Sequence, residues 1–386
     1  MLRSYLIPSV FVGAFLLCLS ASANDFTNDN NTNRNLVIVT IDGLRWQEVF
    51  AGADISLINN HDFTKMPERT KAKFWNEETQ LRTQLLMPFV NGVIAEKGVL
   101  VGDRNRQSYM SVNNEQLFSY PGYNEIFTGV ADPSITTNTK GANTNVTFLE
   151  WLNNKPAFKN KVAIFSGWDV FREIYNQQRS KLIINAGFDA FTPINMTDKM
   201  ATLNQLQEQI PSPWHNVRHD AFTYGFAKEY LNSAKPRVMV INLGETDDFA
   251  HNGNYGAYLE SARRNDWMLQ DLWQTLQSMR FYTNNTNLLV ITDHGRGSSA
   301  KDWQHHASAK AIQNYMKNLK DFPNGIGGAQ HIWFAAIGPD IAPQGVKVTS
   351  EELKQDQFAA TALALLGIDI IEYNPQAAAS ISGILK

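Results

Sequence analysis

The sequence predicts an α/β protein with a mostly parallel central sheet flanked by helices. Two observations predict it. Short apolar runs, among them Leu36 to Ile41, Val238 to Leu243 and Leu288 to Ile291, alternate with longer segments at helical spacing. Three of these runs lead into acidic motifs: Asp42-Gly43, Asp247-Asp248-Phe249-Ala250-His251 and Thr292-Asp293-His294-Gly295. Parallel sheets bind ligands beyond the carboxyl ends of their strands, and all three motifs fall there.

Composition agrees. The chain has 386 residues, 43% hydrophobic and 18% charged, enough for one large core with loop insertions. Net charge is −3 and the pI about 6.3, so a nucleic-acid scaffold is not an expected partner. Residues 1–23 read as a signal peptide. Arg3 is the positive n-region, Leu6 to Leu19 the apolar h-region, and Ala21-Ser22-Ala23 the small-residue cleavage site. The apolar stretch is too short for a membrane span, and no later run is long enough. The single cysteine, Cys18, lies inside this segment, and Leu17 before it does not suit lipidation. The mature chain is therefore expected to be periplasmic or secreted and free of disulfides, with no membrane span.

Residues 24–34, rich in Asn, Asp and Thr, form an expected disordered lead-in to a single domain over 35–386. The first strand runs to Asp42. Ser56 to Thr83 is a polar excursion without clear periodicity. Leu85 to Ala95 suggests a helix and Val99 to Val101 a short strand. Phe118 to Thr128 has helical spacing after a Pro-Gly pair, and Asn145 to Leu152 suggests a helix capped by Asn143 or Asn145. Val162 to Phe165 is a strand, with another at Leu182 to Ile184, and Tyr175 to Trp214 is again polar. A helix from Val217 to Ser233 leads into the strand ending at Leu243. Tyr255 to Met279 is a long amphipathic helix whose Leu, Trp and Met residues are core. After the Leu288 strand, Lys301 to Asn324 is a third polar excursion. Ile332 to Ile337 is a buried strand stopped by Gly338-Pro339, and Phe358 to Leu366 is the last helix expected.

The acidic motifs have metal-ligand character. Asp247 and His251 are four apart and share a face if their segment is helical. Carboxylate oxygen with imidazole nitrogen suits zinc, and less specifically manganese or cobalt. Asp293 and His294 are neighbours at a strand end and point in opposite directions, which suits bridging two metals or supporting one. Asp42 would complete a second position. Ser119, just before Tyr120-Pro121, stands at a helix start where free N–H groups favour an anionic phosphoryl group. Its hydroxyl could serve as a metal-activated nucleophile or simply as a helix cap.

Taken together, Ile41-Asp42-Gly43, the segment from Ser119-Tyr120-Pro121 to Phe127-Thr128-Gly129, Asp247 to His251, and Asp293-His294-Gly295 carry a resemblance. Their order and spacing resemble the alkaline phosphatase superfamily, and most of all its type I phosphodiesterase/nucleotide pyrophosphatase branch, over roughly Asn35 to Pro339. The resemblance implies an alkaline-phosphatase-like catalytic domain, two zinc ions and a covalent phospho-enzyme on Ser119. It implies that Asp42, Asp293 and His294 hold one zinc beside Ser119. Asp247 and His251 would hold the other with one more histidine. Trp303-Gln304-His305-His306 resembles a Trp-x-x-His segment of related bacterial sequences and favours His306, with His331 the alternative and His305 the third choice.

The chain also departs from that branch. Threonine is its usual nucleophile, and asparagine its usual residue where Gly122 stands. Asn124 or Asn143 could replace that asparagine. Arg172, with Trp168 as a substrate wall, is the best candidate for a phosphate grip, set against a surface salt bridge as its other reading, and Arg296 is a second candidate. The leading expectation is an exported phosphatase or phosphodiesterase acting on a small-molecule phosphoester. The alternatives are a sulfatase, although Tyr123 occupies the place of the sulfatase arginine, and a non-catalytic metal-dependent binding protein.

Overall fold

The computed structural model describes residues 34–386; the signal-peptide segment 1–23 and the lead-in up to 33 lie outside the described residues. Among the described residues ten strands form: β1 Asn35–Ile41, β2 Val99–Val101, β3 Met110–Ser111, β4 Val162–Ser166, β5 Ile183–Ala186, β6 Val238–Leu243, β7 Thr286–Ile291, β8 Phe334–Ile337, β9 Gly345–Val346 and β10 Leu353–Lys354. Eight of them make one sheet in the order β5-β4-β6-β1-β7-β8-β2-β9, and β3 pairs with β10 apart from it. The sheet is parallel except where β8 runs antiparallel to β7 and β2. Side-chain alternation splits its apolar residues between two cores. Val37, Val39 and Ile41 face one helical layer, while Leu36 and Ile38 face the other. All seven residues of β1 are buried, as a central strand covered on both faces requires.

Topology positions the site. β1 lies between β6 and β7, with Ile41 beside Leu243 and Thr40 beside Ile291. The three strands therefore end nearly level, at the spacing of about 4.8 Å that adjacent strands keep. The acidic motifs that follow them, far apart in sequence, are forced together. Among the described residues no helix is long and apolar enough to cross a membrane.

Several local expectations are corrected. The excursion 56–83 folds into helices Pro67–Phe74 and Thr79–Leu86, whose apolar side chains are too sparse to betray them. Helix Asp198–Gln209, capped by Thr197, and the short helix Ala309–Asn314, capped by Ser308, lie in the other two. The helix expected at Leu85 to Ala95 is interrupted at Met87, just before Pro88, and continues as a π-helical turn, Phe89–Ile94. The Asp266 carboxylate accepts the Phe89 and Val90 N–H groups at that start. The helix expected from Asn145 begins instead at Phe148, capped by Thr147, and Asn143 and Asn145 donate their amide groups to Asn124 Oδ1. Phe358 to Leu366 is not the last helix; Ile370–Tyr373 follows it.

Candidate metal and nucleophile site

Each site residue sits where its local sequence sends it. Asp42 follows β1, and Gly43 turns the chain with φ +57°. Its N–H donates to Asp293 Oδ1 at 3.1 Å. Asp247 and His251 share a face of the short helix Glu245–His251, as their spacing predicts, with His251 Nε2 3.2 Å from Asp247 Oδ2. Ser119 is the first residue of helix Ser119–Thr128; Phe118, not Ser119, occupies the capping position. The Ser119 hydroxyl, not used as a cap, lies 3.4 Å from His294 Nε2.

Two groups of potential ligands result: Asp42, Asp293 and His294, and Asp247, His294 and His306. His294 Nε2 lies 3.4 Å from both Asp42 Oδ1 and Asp293 Oδ2 and 3.7 Å from Asp247 Oδ1. His306 Nε2 is 3.0 Å from His251 Nε2 and 3.7 Å from Asp247 Oδ1. The His294 and His306 rings stack with centroids 3.8 Å apart. His294 Nδ1 donates to the Gly295 carbonyl at 2.9 Å and His306 Nδ1 to the Leu117 carbonyl at 3.1 Å. A carbonyl can only accept, so these bonds place a proton on Nδ1 and turn each Nε2 towards the cluster, the arrangement of a ligating imidazole.

Electrostatics point the same way. Burial raises the Asp42 carboxyl, and the charge of Asp247 raises it further. Burial, then Asp42, lift Asp293 well above its ordinary range. Asp42 Oδ1 and Asp293 Oδ2 are buried without any hydrogen-bond partner. Burial would lower His294, but Asp293 and Asp42 raise it to about 9, so without metal a proton on Nε2 supplies the missing positive charge. Burial and the neighbouring His294 keep His306 neutral, well below its ordinary value. Burial would raise Asp247 too, yet Arg296, His251 and His306 hold it well below the usual carboxylate range. Orphaned anionic oxygens facing imidazole nitrogens make a donor set that fits divalent cations.

The helix carrying Ser119 packs unusually close. A Cβ on Gly122 would lie 2.6 Å from the Asp293 carbonyl oxygen, so an asparagine cannot stand there in this backbone. One turn after Ser119, the Tyr123 hydroxyl donates to Asp42 Oδ2 at 2.9 Å. In the sequence Tyr123 stands out only as the place of a sulfatase arginine. Its spacing of four from Ser119 was the available signal that it shares the Ser119 face.

The turn entering this helix is braced from within. Glu125, fully buried, accepts from the Asn113 N–H, the Asn114 N–H and Asn114 Nδ2 at 2.8, 2.7 and 2.9 Å. Asn114 Oδ1 in turn accepts the Gln116 and Leu117 N–H groups. Leu117 itself is left-handed, φ +62°, a strain of about 1–3 kcal/mol that its surroundings must hold. Burial pushes the Glu125 carboxyl up to about 7. A folded value above the ordinary 4.5 contributes stability that is complete below pH 4.5 and lost as pH rises through about 7. Glu125→Gln, neutral throughout, is expected to flatten the fall in stability across that window in urea titrations of the metal-free protein. An unchanged pH slope would refute this.

Other expected site residues lie elsewhere. His331 bridges to Ser111 and faces Gln330 Nε2; burial and Arg104 lower it to about 4. His305 packs against Phe322. Asn124 is not turned to the cluster: its Nδ2 donates to the Val130 carbonyl and its Oδ1 accepts from Asn143 and Asn145. Arg172 pairs with Asp189 and donates to the Ala186 carbonyl. Trp168 meets Phe171 edge-on at 6.1 Å, and Phe171 meets Tyr123 at 4.5 Å, so Trp168 stands two rings away from Asp42. Arg296 is buried, with its donors directed at Asp247, Gly43 and Gln304.

Residues 90–356 match the family described as type I phosphodiesterase / nucleotide pyrophosphatase, a span that holds Ser119, Asp247, His251, Asp293, His294 and His306, with Asp42 preceding it. No curated protein matches the chain. Among solved structures it is similar to the alkaline phosphatase PafA, at 13% identity and TM-score 0.55, covering 92% of this chain and 99% of that one. It is similar to a 2-O GAG sulfatase, at 14% identity and TM-score 0.56, covering 91% of this chain and 73% of that one. The lipoteichoic acid synthase LtaP from Listeria monocytogenes is a third, at 12% identity and TM-score 0.51, covering 88% and 73%. These likenesses agree on the fold.

Proposed function

Because the chain belongs to the type I phosphodiesterase / nucleotide pyrophosphatase family, we propose that it hydrolyses small-molecule phosphoesters through Ser119 and two zinc ions. One observation carries the reading. Asp42 Oδ1 and Asp293 Oδ2, buried without hydrogen-bond partners, converge on His294 Nε2, which also faces the Ser119 hydroxyl. Asp42, Asp293, His294 and Ser119 would hold one ion, and Asp247, His251 and His306 the other. Bound there, the ions supply Lewis-acid polarisation of phosphoryl oxygens and lower the pKa of a coordinated hydroxyl or water.

The chain's own residues do the rest. The helix start at Ser119 offers backbone N–H groups to an anionic phosphoryl group. Tyr123 and the Gly43 N–H each hold one oxygen of a carboxylate and leave the other for metal. The Ser119 oxygen bonds to phosphorus as the bond to the leaving-group oxygen breaks opposite it, and the serine proton departs with the alcohol released. Water then attacks the same phosphorus, frees phosphate or a phosphomonoester, and returns the Ser119 hydroxyl. His251, 39% exposed while His294 is fully buried, marks the open side from which substrate enters. The segment 1–23 adds export, so substrate is met in the periplasm or outside the cell.

The test is a panel of aryl phosphate monoester, aryl phosphate diester and aryl sulfate, with and without added zinc. Zinc-dependent turnover of a phosphate ester is expected. Turnover of the sulfate alone would replace this reading with a sulfatase. Inertness towards all three, with metal bound, would favour a binding protein.

A further inference from the structure

We propose that Arg296 is a positioning residue for Asp247, and that it sets the affinity of the second metal position instead of gripping the phosphoryl group. The inference rests on the two-metal reading and adds to it a residue that touches no substrate. Arg296 directly follows the Asp293-His294-Gly295 motif, where its charge invites the role of phosphate ligand. Its burial and bonding say otherwise. The side chain is 1% exposed, and every nitrogen of its guanidinium has a partner within the protein. Nε donates to the Gly43 carbonyl at 3.1 Å, Nη1 to the Gln304 carbonyl, and Nη2 to both the carbonyl of Asp247, at 3.1 Å, and its carboxylate oxygen Oδ1.

These acceptors lie on three segments that meet only in the folded chain. One is the turn after β1, one the helix bearing Asp247 and His251, and one the segment leading to His306. The fork thus fixes the backbone of Asp247 as well as its side chain, and ties it to the loop that supplies the third ligand of the same position. With Oδ1 held by Arg296, Oδ2 is the oxygen turned to His251, 3.2 Å away. Gly43 makes room for the pair. A Cβ there would lie 2.7 Å from Asp247 Oδ1 and 2.8 Å from Arg296 Nε. Outer partners of this kind typically govern metal affinity by 10–100-fold.

The experiment titrates metal-free full-length protein with zinc against a competing chelator, for wild type, Arg296→Gln, Arg296→Lys and Gly43→Ala. Wild type is expected to take two zinc ions. Arg296→Gln should weaken one site by about 10–100-fold and leave the other unchanged, with turnover rescued by excess zinc. Arg296→Lys, keeping the charge but not the fork, should fall between them. Should the glutamine variant fail to fold, the lysine variant and Gly43→Ala, which crowds the same pair, carry the test. Unchanged affinity at both sites would overturn the proposal. So would retained zinc with weaker inhibition by inorganic phosphate, which would make Arg296 a phosphate grip after all. Uptake of fewer than two zinc ions by wild type is a separate failure, that of the two-metal reading, and it shows before any substitution.

Discussion

Ser119→Ala is expected to cut phosphoester turnover by ~10³-fold or more while leaving the fold intact. Removing the nucleophile of a serine hydrolase costs on the order of 10⁶ in kcat, but here the ions could still activate water, so a smaller loss is expected. Ser119 does not cap its helix, and its side chain has one hydrogen-bond contact, with His294 at 3.4 Å. Thermal stability should therefore move little. Acid quenching during turnover should trap phosphate on Ser119 in the wild type and none in the variant. Undiminished turnover of Ser119→Ala would remove the covalent step from the mechanism.

Removing the metals should abolish turnover and destabilise the chain, increasingly so as pH rises. An ion that binds only the folded state at a concentration of about 1,000 Kd adds ~4 kcal/mol. The pH dependence follows from the charges left behind. Asp42 and Asp293 are raised in the folded metal-free state, so their contribution is complete below pH 3.8 and lost as pH rises through their folded values. His294, raised to about 9, contributes fully below pH 6.5 and loses that contribution as pH passes about 9. Asp247 works in the opposite sense, because Arg296 keeps it ionised; its contribution is present above pH 3.8 and is lost only in acid. The gap in melting temperature between zinc-loaded and chelated protein should therefore widen from pH 6 to pH 9. Asp293→Asn should stabilise the chelated protein, by removing one of the crowded carboxylates, and abolish much of the response to zinc. An equal gap at both pH values would contradict this account.

Some of this was legible because it is local. Apolar runs announce strands, since a central parallel strand is buried on both faces. One polar residue just beyond such a run is an ordinary cap or turn former, but Asp42, Asp247 and Asp293-His294 recurring after three strands make a pattern that suits metal. The i,i+4 spacing of Asp247 and His251 was enough to put both on one helical face. Helices in the polar excursions escaped notice for the converse reason. Pro67–Phe74 buries little beyond Thr70 and Phe74, and so shows almost no apolar period.

The sequence by itself therefore determined the α/β class, the order of the strands that carry acids, and the residue types able to hold metal. Tertiary structure alone decided which of them meet. A Trp-x-x-His resemblance favours His306 over His331 and His305, but only the fold shows the His306 ring stacked on His294 while its Nδ1 donates to Leu117. Arg172 and Arg296 were both plausible phosphate grips, yet one faces Asp189 and the other is clamped on Asp247. Tyr123 gained a partner, Asp42, from 81 residues away. The physical reason is common to all three. A side chain's charge and hydrogen-bonding capacity are written in its residue type, whereas burial and partner depend on where strand order and close helix packing, as at Gly122, bring distant backbone together.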